Sequence, residues 1–171
     1  MVSRMTGVAE AHGSRRRPPF VPPWNGGRQE CKMYSFELKT VIAARPGKVF
    51  AAITEPCYVT QWDYCRWAQN DYRLGGKVRK RDEEGRLFEA EIILFEPPFR
   101  YGAISPVLVD PEDEDEGRFA VRFEFGIESH KDQSVLTVNA QGFPGEELAA
   151  RERNSWGGYF LEKLKKVAEH N

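Results

Sequence analysis

Val135-Leu-Thr-Val138, then Gln141-Gly-Phe-Pro144, then Arg153-Asn-Ser-Trp-Gly-Gly-Tyr-Phe-Leu-Glu-Lys-Leu164: this succession decides the architecture. An alternating strand passes through a short polar link into a long closing helix. Trp156, Phe160, Leu164 and Val167 are spaced four, four and three apart, which places them on one helical face. Gly157 and Gly158 fall in the middle of that helix, where each costs roughly 1 kcal/mol relative to alanine. That cost predicts either a sheet packed closely against the helix or a space left for a ligand.

Upstream, Ser35–Ala43 carries Phe36, Leu38, Thr40 and Ile42 on one side and reads as a strand. Pro46 opens a helix running to Thr54, and Pro56 opens a second that ends near Trp62. Further strands are expected over about 64–72, over Lys77–Arg81 after the Gly75-Gly76 turn, and over Leu87–Phe95. In the last of these, Phe88, Ala90, Ile92 and Leu94 face one way, and Glu89 and Glu91 the other. Pro97-Pro98 ends it, and Phe99–Ser105 follows. Asp110–Glu116 holds six acids in seven residues and reads as a solvated loop, lacking the internal glycine of a calcium loop. Arg118–Gly126 then alternates Phe119, Val121, Phe123 and Phe125 against Arg118, Arg122 and Glu124, and Ser134–Gln141 is the last strand. One antiparallel sheet with a helix against its concave face buries both apolar stripes, an α+β arrangement.

Composition narrows the function classes. The 171 residues fit one domain, and 40% hydrophobic content is enough for a core. The net charge of −1 gives no electrostatic case for nucleic acid. Residues 1–32 are distinct: six basic side chains against two acidic ones give +4, leaving −5 on the remainder. With Arg15-Arg-Arg-Pro-Pro-Phe-Val-Pro-Pro23 and Gly26-Gly27, that segment is expected to be a disordered extension before a domain spanning 33–171. Cys31, Cys57 and Cys65 form no paired framework, which suits reduced thiols in the cytoplasm. No apolar run reaches the length of a membrane span, and the N-terminus has no apolar signal core.

Catalytic signatures are not visible. His12, His130 and His170 fall in the extension, a turn and the C-terminus, so neither a metal centre nor a catalytic base is expected. Cys57 and Cys65 read as small packing residues. There is no nucleophile elbow, phosphate loop or dinucleotide fingerprint. The aromatic residues carry more. Each is ordinary core on its own, but together they can wall a cavity. Thr40, Asn139 and Gln141 occupy strand positions from which they could orient a ligand, given the right register. Glu89, Glu91 and Glu124 belong on the solvated convex face.

Six segments in this order resemble the START-like (SRPBCC) superfamily and, within it, the group named after the activator of the heat-shock protein 90 ATPase. They are Thr40–Ile53, the short helix ending in Trp62, Asp71-Tyr-Arg-Leu-Gly-Gly76, Phe95-Glu-Pro-Pro-Phe-Arg-Tyr101, Gln141-Gly-Phe-Pro144 and Trp156–Leu164. Where that group often has paired tryptophans, this chain has Trp62-Asp63, with Trp67 further on. The resemblance implies a helix-grip fold: a curved antiparallel sheet around a long C-terminal helix, with two short helices after the first strand. It also implies an apolar cavity between sheet and helix. The expected wall is Trp62, Trp67, Phe88, Tyr101, Phe123, Trp156 and Phe160, with no catalytic residue, no metal and no cofactor. The expected function is binding of a hydrophobic small molecule, aromatic or lipid-like. A chaperone-activating protein-interaction domain is the alternative, and a cyclase- or hydrolase-type enzyme the third.

Overall fold

Proline placement starts the helical part of the fold. The computed structural model describes residues 32–107 and 119–171, so the expectations for the extension and for the acidic segment 110–116 lie outside the described residues. After strand β1 (Tyr34–Ile42), Pro46 sits in the first turn of helix α1 (Pro46–Thr54), and Pro56 does the same in α2 (Pro56–Trp62). A missing N–H costs nothing there. The rest of the chain folds as strands β2 (Trp67–Asn70), β3 (Lys77–Arg81), β4 (Leu87–Glu96), β5 (Arg100–Val107), β6 (Phe119–His130) and β7 (Gln133–Phe143). They form one antiparallel sheet in the order β1-β7-β6-β5-β4-β3-β2.

Two glycines permit tight geometry in that sheet. Gly142 has φ +106°, and a Cβ on it would stand 2.3 Å from the Ala120 carbonyl oxygen. It is skipped between Tyr34↔Phe143 and Ser35↔Gln141, so it forms a bulge that only glycine fits. Gly76 packs its backbone on the preceding turn, where a Cβ would meet Asp71 Cβ at 2.8 Å.

A second bulge corrects the sequence reading of β4. Ile92 pairs with Ala103 but Leu94 pairs with Gly102, so Ile93 is the extra residue. The alternation therefore flips. Ile92 is fully buried, whereas Leu94 lies beside Glu124 on the outer face, and Phe95 turns inward onto Phe50 and Tyr101. β2 is also shorter than expected, because residues 63–66 form an irregular link between α2 and the sheet.

The closing helix differs from expectation more. The polar link is itself helical: α3 covers Glu146–Ser155 and leads without a break into a π-helical turn, Trp156–Phe160, and then α4, Leu161–His170. The buried positions are Ala149, Trp156, Leu161, Leu164 and Ala168. The step of five from Trp156 to Leu161 is that of a π turn, which moves the buried stripe from Phe160 onto Leu161. Neither glycine is crowded. A Cβ on Gly157 would make ordinary contact with the Leu38 methyls at 3.9 Å, and one on Gly158 would meet nothing. Both are exposed. The mid-helix pair therefore marks neither a close approach nor room for a ligand.

One end of the sheet–helix layer is filled. Phe36, Ile42, Val49, Leu136, Val138, Phe143, Leu164 and Ala168 form a buried cluster over β1 and β7. The buried Ser134 hydroxyl donates to the Ala44 carbonyl at 2.7 Å, satisfying both groups. At the other end, the inward residues of β2, β3 and the start of β4 are only half-buried or exposed. The layer is open there.

Candidate functional site

The open end is a cavity of about 630 Å³. Its helical wall comes from α2 and the π turn. The Trp62 indole N–H donates to the Ala52 carbonyl at 2.8 Å, which holds the ring in place at the end of a seven-residue helix. Trp156 packs at 6.1 Å from Trp62, 5.2 Å from Phe123 and 5.8 Å from Phe125, measured between ring centres. Phe160 closes against Trp156 at 5.2 Å and stands edge-on to Trp62 at 6.4 Å. The sheet wall is Ala68, Val78, Ala90, Ala103, Phe123 and Phe125, with Tyr101 at the buried side and Phe88 at the rim.

Of the seven residues expected from sequence, Trp62, Phe88, Tyr101, Phe123, Trp156 and Phe160 line this cavity. Trp67 does not. Ala68 and Asn70 set the inward parity of β2, and Trp67 pairs with Arg81 on the outer face, 42% exposed. Asn139 and Gln141 also point outward, beside Glu124 and Arg122, because the buried residues of β7 are Ser134, Leu136, Val138 and Ala140. Thr40 is half-buried outside the cavity. Glu89 and Glu91 do face out, paired with Arg79 at 2.9 Å and Lys77 at 3.3 Å.

The cavity's polar groups were missed. Asp63 follows Trp62 and pairs with Lys80 of β3, whose ammonium also stands 5.9 Å from the Trp62 ring centre. The signal was available: Val78 marks the inward side of β3, and Lys80 has the same parity. Asp82, in the β3–β4 turn, is a second carboxylate in the wall. Burial opposes its charge, but the Arg86 side chain at 2.5 Å and the Arg86 backbone N–H outweigh this and hold the carboxyl below the usual range. The wall therefore carries carboxylates besides the seven expected aromatic residues, and each of these two is tied to a cation.

At the buried side, the Asn70 amide donates to the Thr54 carbonyl at 3.0 Å and accepts from the Tyr72 backbone N–H at 2.9 Å. Burial pushes the Tyr101 phenol well above its ordinary value, with the Asn70 amide pulling the other way. The phenol therefore remains a neutral hydrogen-bonding group at any physiological pH. Cys65 is buried in the wall and exposed Cys57 lies outside it; burial, then the Asp63 charge, raises the Cys65 thiol, and Lys80 offsets part of this. His130 and His170 are far along other elements, at the end of β6 and of α4, and line no part of the cavity.

Tyr64 lines the cavity and is itself exposed, which places it at the opening. Tyr64, from the 63–66 link, stacks on Tyr159 of the π turn with ring centres 4.7 Å apart and planes 10° from parallel. Tyr64 also stands edge-on to Phe160 at 5.3 Å. The Lys163 ammonium donates to the Tyr159 hydroxyl and, with the Tyr64 phenol, lowers the Tyr159 phenol; the bond to Tyr159 in turn raises that of Tyr64.

Sequence comparison places this geometry in a family. The model for "Activator of Hsp90 ATPase homolog 1-like protein" matches residues 43–169, which include α1, α2, the cavity wall and the closing helix. The chain belongs to this family. No curated protein sequence matches it. Among solved structures, the Aha1 dimer from Colwellia psychrerythraea is similar at 17% identity, covering 80% of this chain and 97% of that one, with a TM-score of 0.64. CalU16 from Micromonospora echinospora shares 18% identity over 80% of this chain and 76% of its own, with a TM-score of 0.62. Protein MLL2253 from Mesorhizobium loti shares 19% over 78% and 96%, with a TM-score of 0.63. At these identities the likeness is one of fold. Among the described residues, no helix is long and apolar enough to cross a membrane.

Proposed function

We propose that this member of the Hsp90-ATPase-activator-like family binds a hydrophobic, aromatic small molecule in the cavity between the sheet and the closing helix. The observation that carries this reading is the cavity itself, about 630 Å³ and walled by Trp62, Phe88, Tyr101, Phe123, Trp156 and Phe160. Small-molecule sites are typically ~300–1,000 Å³, mostly apolar, with a few fixed polar groups. Burial of apolar ligand surface, at roughly 25 cal/mol per Å², supplies the affinity. Indole and phenyl rings favour flat aromatic ligands by offset or edge-on packing. Binding without turnover is the simpler reading, because Asp63 and Asp82 are each committed to a cation and neither is poised as a free base.

The test is a titration with Nile red, followed by its own emission and by tryptophan quenching. Saturable binding that Phe123→Ala weakens is the expected result. The second reading, a chaperone-activating interaction domain, is favoured by the family match. It takes over if neither Nile red nor pyrene binds saturably while the protein stimulates a heat-shock protein 90 ATPase.

A further inference from the structure

Beside the aromatic rings of the wall, Asp63 and Lys80 form an ion pair that is neither buried nor free. Their side chains are 18% and 32% exposed. An ammonium has three donors and a carboxylate about four acceptor positions, and their mutual bond uses one of each. Both residues line the cavity. The surroundings are desolvated: Trp62 is 3% exposed, Cys65 8%, and burial is the main cause of the raised Cys65 thiol. An occupant that leaves such groups without partners forfeits their hydrogen bonds to water.

The charges decide what kind of polar group fits. Among the described residues the wall's cations are Lys80 and Arg86, and Arg86 is held by Asp82 and Glu84. Glu83 and Glu89 also border the cavity, but each is paired outside it, with Arg66 at 3.7 Å and Arg79 at 2.9 Å. A carboxylate ligand would face Asp63 and have to share Lys80. An ammonium ligand would face Lys80. A hydroxyl meets both needs at once, donating its proton to Asp63 and accepting from Lys80.

We infer that Asp63 and Lys80 are specificity-determining residues that select neutral, hydroxyl-bearing aromatic ligands over anionic or unsubstituted ones of the same ring size. This rests on the binding reading above, and the test separates the two. Naphthalene, 2-naphthol and 2-naphthoate are each measured in competition with Nile red near pH 7. The expected result is that 2-naphthol binds about ten-fold or more tightly than the other two. In Asp63→Asn the Lys80 charge is no longer neutralised, so the preference moves to 2-naphthoate. In Lys80→Met the unpaired Asp63 carboxylate still accepts from the hydroxyl, so 2-naphthol stays preferred to naphthalene while 2-naphthoate, facing an uncompensated negative charge, weakens most. Lys80→Arg retains the donor and the preference. Equal affinity of wild-type protein for 2-naphthol and naphthalene, or tightest binding of 2-naphthoate, overturns the inference and leaves the cavity reading standing. Absence of binding by Nile red and all three ring compounds overturns both.

Discussion

The backbone N–H of Leu161 donates to the carbonyl of Trp156, five residues back. That one bond separates two duties that an ideal helix would have to share. Before it, Trp156 faces the rings of Trp62, Phe123 and Phe125 at the cavity. After it, Leu161, Leu164 and Ala168 continue the buried stripe along the filled half. The extra residue leaves Tyr159 and Phe160 free to turn toward the mouth, where both meet Tyr64. Single π turns inside α-helices are frequent at functional sites.

Gly158 lies in that turn with nothing near its missing Cβ. Gly158→Ala is expected to stabilise the protein by about 0.5–1 kcal/mol, the ordinary helix-interior difference. In a chain of this size that raises the Tm by roughly 1–4 °C. Nile red affinity stays unchanged. A loss of affinity with the fold intact would restore the idea that the glycine makes room for ligand. Thermal melts and the dye titration read both.

Trp156→Ala removes the ring that joins helix to sheet. The expected cost is about 3 kcal/mol, the lower end for large-to-small aromatic changes, because one side of the ring already borders a cavity. Urea denaturation measures it. A cost below ~1 kcal/mol would mean that the neighbouring rings collapse into the space.

The fold was legible because its signals are periodic. Phe119, Val121, Phe123 and Phe125 alternate without interruption, and β6 follows them. Pro46 and Pro56 mark helix starts that the structure keeps. Irregular backbone was not legible. The Ile93 bulge reverses the facing of Leu94 and Phe95, and the π turn replaces Phe160 by Leu161 in the buried stripe. Both are single-residue insertions, and a period of 2 or 3.6 cannot show where one falls. Trp67 was misplaced for another reason: its aromatic character outweighed the parity of Ala68 and Asn70. Asp63 and Lys80 were missed because a lysine on a strand reads as a solvated edge unless its inward neighbour, here Val78, is used to set the face.

If Trp67 lies outside the site, Trp67→Phe leaves Nile red affinity within about two-fold of wild type, while Trp62→Phe weakens it by more. Trp62 loses its bond to the Ala52 carbonyl as well as ring area. Equal effects of the two changes in the dye titration would contradict the outward placement of Trp67.

Tyr64 is 61% exposed, lines the cavity and stacks on Tyr159, a position from which it can cover the opening. Tyr64→Ala should cost about 0.5–1.5 kcal/mol, the worth of its ring contacts with Tyr159 and Phe160. Its effect on binding is kinetic. With the ring gone, association and dissociation of Nile red both accelerate by more than about two-fold, while Kd moves less than either rate. Stopped-flow fluorescence separates the rates. A change confined to dissociation would make Tyr64 a contact to the bound dye rather than a cover.

Tyr101 gives the fold an alkaline limit. Burial holds its phenol well above the value of about 10 for a free tyrosine. A group whose folded value is raised contributes stability that is complete below the unfolded value and is lost as pH rises toward the folded one. Wild-type stability should therefore begin to fall near pH ~10, as the unfolded chain ionises a phenol that the fold keeps protonated. Tyr101→Phe has no proton to lose. It gives up the interaction with Asn70 at neutral pH, a cost of about 1 kcal/mol. Its stability then declines less steeply than that of wild type above pH ~10, so the difference between the two narrows as pH rises. Urea midpoints at neutral and alkaline pH measure the convergence. Parallel curves across that range would mean that Tyr101 ionises as readily in the folded protein as in the unfolded chain, and that its phenol is open to water through the cavity.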